Sequence, residues 1–438
     1  MAVRDQAAGR GTLAPVGRER WVVVACTFCV ASVSYLDRNN LTIAAASLQR
    51  EFALTELQLG TVFAAFILGY ALTQPIAGRI AYRFGAARVI AAALLWWSVF
   101  TALLPAIPGG LPASMAMLLA VRFLLGIGES VIFPASNRLV ANWIPSSERG
   151  LANGWIFAGV GVGAGIAPPL ITSIMLYHSW RWAFWLCALI GVAAAGMWVL
   201  LVRNSPAEQP RLRPAEAAYI DAGLPIRKVD AARQAGWSEI ILDRNVAALT
   251  LSYFCFGYVA YIFFTWFFKY LSDIRGLNLR DSALYATLPF AAMTLASLMG
   301  GMISDGLLAR IGKRAARCGV AGMSLLAASG FVVAATQVAD ARLAALILAG
   351  GAGSLYFAQS AYWAISADMG GASAGSLSGI MNMGAQAGGI MTATVTPAIA
   401  SSYGWTASFV CAALVCLVGA AAWMFVDPFH VLAVRRTD

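Results

Sequence analysis

Twelve apolar stretches follow one another near residues 21–48, 57–80, 86–105, 114–139, 150–173, 181–202, 244–270, 282–304, 315–337, 342–366, 374–399 and 404–427. A helix that crosses a bilayer needs about 20 such residues. In lipid the backbone must satisfy its own hydrogen bonds, which leaves helices as the element for runs of this length. The expectation is an all-α integral membrane protein with 12 transmembrane helices. Composition agrees, because only 11% of the 438 residues are charged, against roughly 25% in a soluble domain. The formal net charge of +10 invites a nucleic-acid reading, but its distribution argues for the lipid bilayer as partner. On these spans 22 of the Lys and Arg residues fall on the side of the termini and central loop, 6 on the other side and 2 within the membrane. Positive charge collects on the cytoplasmic side, so both termini are expected there, in a multi-pass protein of the cell's inner (plasma) membrane.

The break between spans six and seven divides the chain. A cytoplasmic tail (1–20) precedes a six-helix bundle (21–202), a charged, Pro-rich central loop (203–243), a second six-helix bundle (244–427) and a short cytoplasmic tail (428–438). The bundles repeat each other at a nearly constant offset. Gly78 recurs as Gly301, Gly159 and Gly163 recur as Gly384 and Gly388, and Trp180 and Phe184 recur as Trp405 and Phe409. Parallel repeats of this kind place a solute site between the halves, near the bilayer midplane. The glycines have small-xxx-small spacing, which lets helices approach closely; Gly161 and Gly165 extend the series, and prolines 168, 169 and 397 follow it.

Charges inside the spans carry the functional reading. Asp37 and Arg38 are neighbours in the first span, and Arg122 and Glu129 lie seven residues apart in the fourth, on one helical face. Each costs at least about 2.5–3.5 kcal/mol on insertion. Such residues face protein or water, and two acids with two bases point to a charged solute and a proton.

The loop after span two reads GRIAYRFGAAR, with Gly78, Arg83, Gly85 and Arg88, and the loop after span eight reads GMISDGLLARIGKR, with Gly301, Asp305, Arg310, Gly312, Lys313 and Arg314. With the 6+6 arrangement these loops resemble those of major facilitators, with pseudo-twofold halves. Tyr82 stands where that motif carries an acid, so the charge-based latch that this loop supplies in the family lacks its acid here. YLDRNNLTIA (35–44), Tyr70, RFLLGIGESVIFPA (122–135) and WIPSSERG (143–150) are similar to the anion:cation symporter family of that superfamily, sugar-acid and organic-anion permeases among them. The resemblance implies secondary transport of an organic anion by proton-coupled symport and alternating access. It implies protonation at Asp37 and Glu129, capture of a substrate carboxylate by Arg38, and pairing of Arg122 with an acid to couple the two events. The chemistry of these side chains favours the same division, because burial and a nearby guanidinium pull a carboxyl's proton affinity in opposite directions. Arginine stays charged and can hold a carboxylate through two bonds.

Tyr35 and Tyr70 match positions whose hydroxyls face substrate in that family. A polar cluster in span ten (Gln359, Ser360, Tyr362, Trp363) and the same-face amides Asn382 and Gln386 in span eleven complete the expected cavity. Sugar-acid members carry a glutamine in span five where this chain has Gly159 or Val160. A shorter, less hydroxylated or aromatic carboxylate becomes the better expectation. Asn137, Arg138, Glu148 and Arg149 read as gate or topology residues. Lys269, Asp273, Arg275, Arg280 and Asp281 read as a solvated external rim.

Other chemistries find little support. The seven cysteines fall mainly in apolar helices, and Cys26 and Cys29 have no water or helix N-terminus to activate a thiol. With two histidines, no metal site is expected, and no cofactor beyond the coupling proton. An efflux antiporter is the first rival, and a membrane enzyme or sensor the second. The loops are too short for a catalytic domain, so no enzyme activity is expected, and a functional monomer is.

Overall fold

The computed structural model describes residues 17–110, 113–224, 235–267 and 270–432, and among these no strand occurs. Seven helices form the first group: α1 (Glu19–Phe52), α2 (Glu56–Phe84), α3 (Ala86–Leu103), α4 (Ser114–Ser130), α5 (Ile132–Trp143), α6 (Arg149–Tyr177) and α7 (Trp180–Leu201). Two short helices, α8 (Pro214–Gly223) and α9 (Trp237–Ile241), lie in the central segment. The second group is α10 (Arg244–Thr265), α11 (Leu279–Arg314), α12 (Val320–Thr336), α13 (Ala341–Phe357), α14 (Gln359–Gly370), α15 (Ala374–Tyr403) and α16 (Trp405–Ala422).

Among the described residues, ten separate stretches are long and apolar enough to cross a membrane, rather than the twelve expected. Two of the ten, Leu284–Thr336 and Ala341–Tyr403, run to 53 and 63 residues, whereas one crossing takes about 20. Each contains a glycine at positive φ, Gly312 at 79° and Gly371 at 48°, a conformation that other residues adopt only at a cost.

Helix starts are fixed by short polar side chains, which satisfy amides that the helix cannot. Thr55 and Gln58 form a reciprocal cap at α2. Asp243 accepts from the amides of Asn245 and Val246 at α10, and Asp340 accepts from Leu343 at α13. The fourth expected span is broken at Val131 between α4 and α5, and the tenth at Ala358 between α13 and α14. Pro134 has no N–H for the carbonyl of Ser130, which accounts for the first break.

Glycine decides how closely the helices pack. α1 lies on α6 and α10 on α15, while α6 against α11 and α2 against α15 join the two groups. A Cβ at Gly159 or Gly163 would meet the carbonyls of Phe28 and Ser32, and one at Gly384 or Gly388 those of Thr250 and Phe254. The same contact is thus built twice, in α1–α6 and in α10–α15. Gly161 packs on Thr294 of α11, whereas Gly165 has open space beside it. Gly163→Ala should cost about 1–3 kcal/mol by overpacking, and Gly165→Ala should be neutral or slightly stabilising because alanine favours helix. Thermal unfolding of the two purified variants checks the contrast.

One face of the bundle carries residue 17, the central segment and residue 432; it is called the terminal face below. On the opposite face Glu51, at the end of α1, accepts from Trp180 at 2.8 Å and pairs with Arg181. The hydrogen bond from Arg181 holds the Glu51 carboxyl below its ordinary range. Arg275 is tied down rather than solvated: it donates to the Tyr270 hydroxyl at 2.6 Å and to the carbonyls of Val338 and Ala335. Asp281 accepts from Arg342 at 3.0 Å. The expected rim is therefore partly structural. Lys269 lies outside the described residues, as do the side chains of Asp273 and Arg280.

Candidate functional site

A cavity of about 210 Å3 lies between α1, α2, α4, α5 and α6 on one wall and α10, α13, α14 and α15 on the other. Among the described residues 24 line it, and 11 of these are aromatic. It reaches Thr42, Phe63 and Thr265 towards the opposite face.

Arg38 and Arg122 supply the charge of the first wall. Arg38 Nη2 donates to Glu129 Oε2 at 3.1 Å, and its guanidinium lies 4.6 Å from the ring centres of both Tyr35 and Tyr70. Arginine stacks well on aromatic faces, which fixes its fork in place. Glu129 is fully buried behind that fork. Its Oε2 also accepts from Ser34 at 2.9 Å, and its Oε1 has no partner. Neighbours in a helix point about 100° apart, so Asp37 faces elsewhere. It accepts from Thr101 of α3 at 2.6 Å and leaves Oδ1 unpartnered. Asp37 lies outside the cavity lining.

Arg122 departs from the expectation. Among the described residues it forms no ion pair, and its guanidinium instead lies 4.6 Å from the ring centre of Phe66. Glu129 turns its bonded oxygen to Arg38 and Ser34, and Asp37 is turned towards α3. Arg122 is 2% exposed, so its charge sits nearly buried in the field of Glu129 and Asp37 without a direct bond to either.

The second wall is polar through hydroxyls and amides. Gln359 Nε2 and Trp363 Nε1 both donate to the Tyr253 hydroxyl, at 2.7 and 3.0 Å. The Tyr261 hydroxyl donates to Gln386 Oε1 at 2.7 Å, and Asn382 also lines the space. Gln359, Asn382, Gln386, Tyr35 and Tyr70 are thus brought together with Arg38, as the sequence predicts. Ser360, Tyr362 and Trp363 are not part of the lining. α14 turns Tyr362 into its own bundle, where its hydroxyl lies 2.6 Å from that of Ser252. Ser360 is fully buried, and Trp363 packs one layer down, beneath Phe133 and Phe157 at 5.8 and 5.1 Å. Val160, and not Gly159, faces the cavity. Tyr253, Tyr261, Phe264 and Tyr356 were missed, since an aromatic stripe in an apolar span reads equally well as lipid-facing or as core.

Polar bonds between the two groups of helices close the terminal face. Arg149 pairs with Asp368, which also holds Lys313 at 2.7 Å. Asp305 accepts from the amides of Gly150 and Leu151 at the start of α6, at 3.0 and 2.6 Å, and pairs with Arg317. A carboxylate at a helix N-terminus is favourable. Asn137 donates to Ser366, and Arg138 to the Gly371 carbonyl. The Arg138 guanidinium also lies 5.1 Å from the Tyr82 ring centre, so the residue that replaced the motif acid meets an arginine through its aromatic face. Gly78 packs against the backbone of Gly375, Gly301 against that of Gly150, and Gly85 turns the chain at φ 90°. Arg88 and Arg310 are exposed and make none of these bonds. These hydrogen bonds and ion pairs between the first and second groups lie on the terminal face, and the cavity opens the other way.

Residues 27–393 match the profile of the Major Facilitator Superfamily. The chain belongs to that superfamily. It is a transporter of this class and not the membrane enzyme or sensor that the sequence left as a rival. It is 30% identical over 398 residues to a probable sulfoacetate transporter of Cupriavidus necator, covering 90% of this chain and 91% of that one. It is 32% identical over 310 residues to a probable galactarate/D-glucarate transporter of Bacillus subtilis, covering 68% of each. In fold it is similar to the proton:xylose symporter XylE, with a TM-score of 0.77 at 13% identity over 94% of this chain and 97% of that one.

Proposed function

We propose that the protein imports an organic anion together with protons, by alternating access between two six-crossing halves, 21–202 and 244–427, joined through 203–243. Reading each of the two longest apolar stretches as two crossings, turned at Gly312 and Gly371, restores twelve. With the positively charged terminal face in the cytoplasm of a cell whose inner membrane holds the protein, the cavity opens outward. The named relatives, carriers of sulfoacetate and of sugar acids, support an anionic solute.

The observation that carries the reading is the Arg38–Glu129 bridge at the cavity wall. Arg38 has one planar fork, and a substrate carboxylate competes with Glu129 for it. Once displaced, Glu129 is a fully buried carboxylate without its counterion, and taking up a proton is the inexpensive way out. Substrate and proton then load together. Release of the anion returns Arg38 to Glu129 and expels the proton. Asp37, with one oxygen unpartnered, is the second protonation site in this scheme. Import with more protons than anionic charge gains about 2.3 kcal/mol per net positive charge per 100 mV.

Purified protein in proteoliposomes, acidic outside, should accumulate a labelled organic acid above its equilibrium level. A protonophore should collapse the accumulation. Uptake indifferent to the pH gradient would refute the coupling.

A further inference from the structure

The central segment is bonded to both groups of helices, which gives it a part in the alternating access proposed above. Its first helix, α8, is fastened to the first group. Glu216 is fully buried and accepts from the amides of Glu19 and Arg20 at the start of α1, at 3.2 and 3.1 Å, and from the Arg20 side chain. The Gly223 carbonyl at the end of α8 accepts from the Ser146 amide at 3.1 Å. None of these bonds has to break when the halves part.

The far end of the segment is placed differently. The Ala235 amide donates to Ser373 Oγ at 2.8 Å, in the turn between α14 and α15, while the Ala235 carbonyl accepts from Arg79 Nη2 of α2 at 3.1 Å. One residue thus holds both groups. Two residues on, the Trp237 ring centre lies 3.9 Å from the Arg79 guanidinium, well inside the roughly 6 Å over which a ring face attracts a cation. Gly78, beside Arg79, brings α2 onto the backbone of Gly375, so the clamp closes over a direct contact between α2 and α15.

Arg79 and Tyr82 are three apart on α2, hence neighbours on its surface. Tyr82 meets Arg138, which donates to the Gly371 carbonyl. The turn 371–373 is therefore gripped at both ends, at Gly371 by Arg138 and at Ser373 through the linker. Six residues separate Trp237 from α10, and Ser373 holds Ala235, so this stretch travels with the second group. Opening of the terminal face would carry α2 away from α15 and take Arg79 off Trp237.

We propose that Trp237 and Arg79 form a latch, supplied by the linker, that holds the terminal face shut beside the loop whose motif acid is replaced by Tyr82. The central segment is then a working part of the gate as well as a tether.

The test is the rate at which a water-soluble maleimide modifies Ser376→Cys in the purified full-length protein, with the modified site located by mass spectrometry. Ser376 is fully buried on α15 next to Gly78 and comes within reach when the terminal face opens. Cys187 and Cys416, buried within the two groups, report general loosening. Trp237→Ala should speed modification at position 376 by about tenfold, the effect of losing one partly desolvated cation–ring contact, and leave Cys187 and Cys416 unchanged. Should that variant fail to fold, Arg79→Gln removes the same attraction from the other side and should give the same rise. Equal rates at position 376 with and without Trp237, or a rise shared by Cys187 and Cys416, would overturn the latch and leave alternating access standing. No modification at position 376 in any background would overturn both.

Discussion

Replacing Glu129 by glutamine should separate exchange from accumulation. Glutamine keeps the shape of the protonated acid and cannot ionise. Arg38 then loses its charged partner at 3.1 Å and is permanently available to an anion. The loaded carrier needs no proton release to change its opening, so counterflow of labelled against unlabelled anion should persist. Net accumulation driven by a pH gradient should fall sharply. The empty carrier would return without having delivered the proton that Glu129 carries, leaving Asp37 alone to couple transport to the gradient. A purely structural Glu129, held by Ser34 and Arg38 to keep α1 on α4, would instead damage both assays alike. Counterflow and gradient-driven uptake measured in the same proteoliposomes distinguish the two, and full accumulation by the glutamine variant would exclude the coupling role.

Arg38→Lys should weaken anion binding by about a hundredfold, although the charge is kept. Truncating one member of a buried, hydrogen-bonded charge pair costs about 2–5 kcal/mol, and each 1.4 kcal/mol is about a factor of ten. Lysine cannot reproduce the fork that reaches Glu129 while its plane lies against Tyr35 and Tyr70. Equilibrium binding to the purified variant is the measurement, and affinity within about twofold of the unaltered protein would remove Arg38 from the site.

The helical architecture was legible because lipid leaves a long apolar run few options. The repeat was legible because Gly159, Gly163, Gly384 and Gly388 mark contacts that only glycine permits. Arg38, Tyr35, Tyr70 and the amides at 359, 382 and 386 stood out as polar groups in apolar helices. The direction in which a side chain points was less accessible. After the break at Ala358 Gln359 reaches the cavity, whereas Ser360 is buried, Tyr362 turns to Ser252 and Trp363 lies beneath Phe133 and Phe157. The partner of Arg122 was equally hidden, since seven residues of spacing place it on the same face as Glu129 without saying that Arg38 reaches the acid first. Tyr253 and Tyr261 gave no signal at all, because in a spanning helix an aromatic ring is unremarked until its hydroxyl is seen to be bonded.

The bonds that shut the terminal face sit far from the cavity lining and differ in kind. One set is ionic, centred on Asp305 and Asp368, and the other leans on Arg138 against Tyr82 and on backbone carbonyls. On the proposed mechanism, what the protein chooses and how fast it cycles are set by separate residues. A lineage could retune turnover for cold, heat or salt by exchanging latch residues, without revising its choice of cargo. Tyr82 reads as one such adjustment: it trades a salt-sensitive contact for one that ionic strength disturbs less.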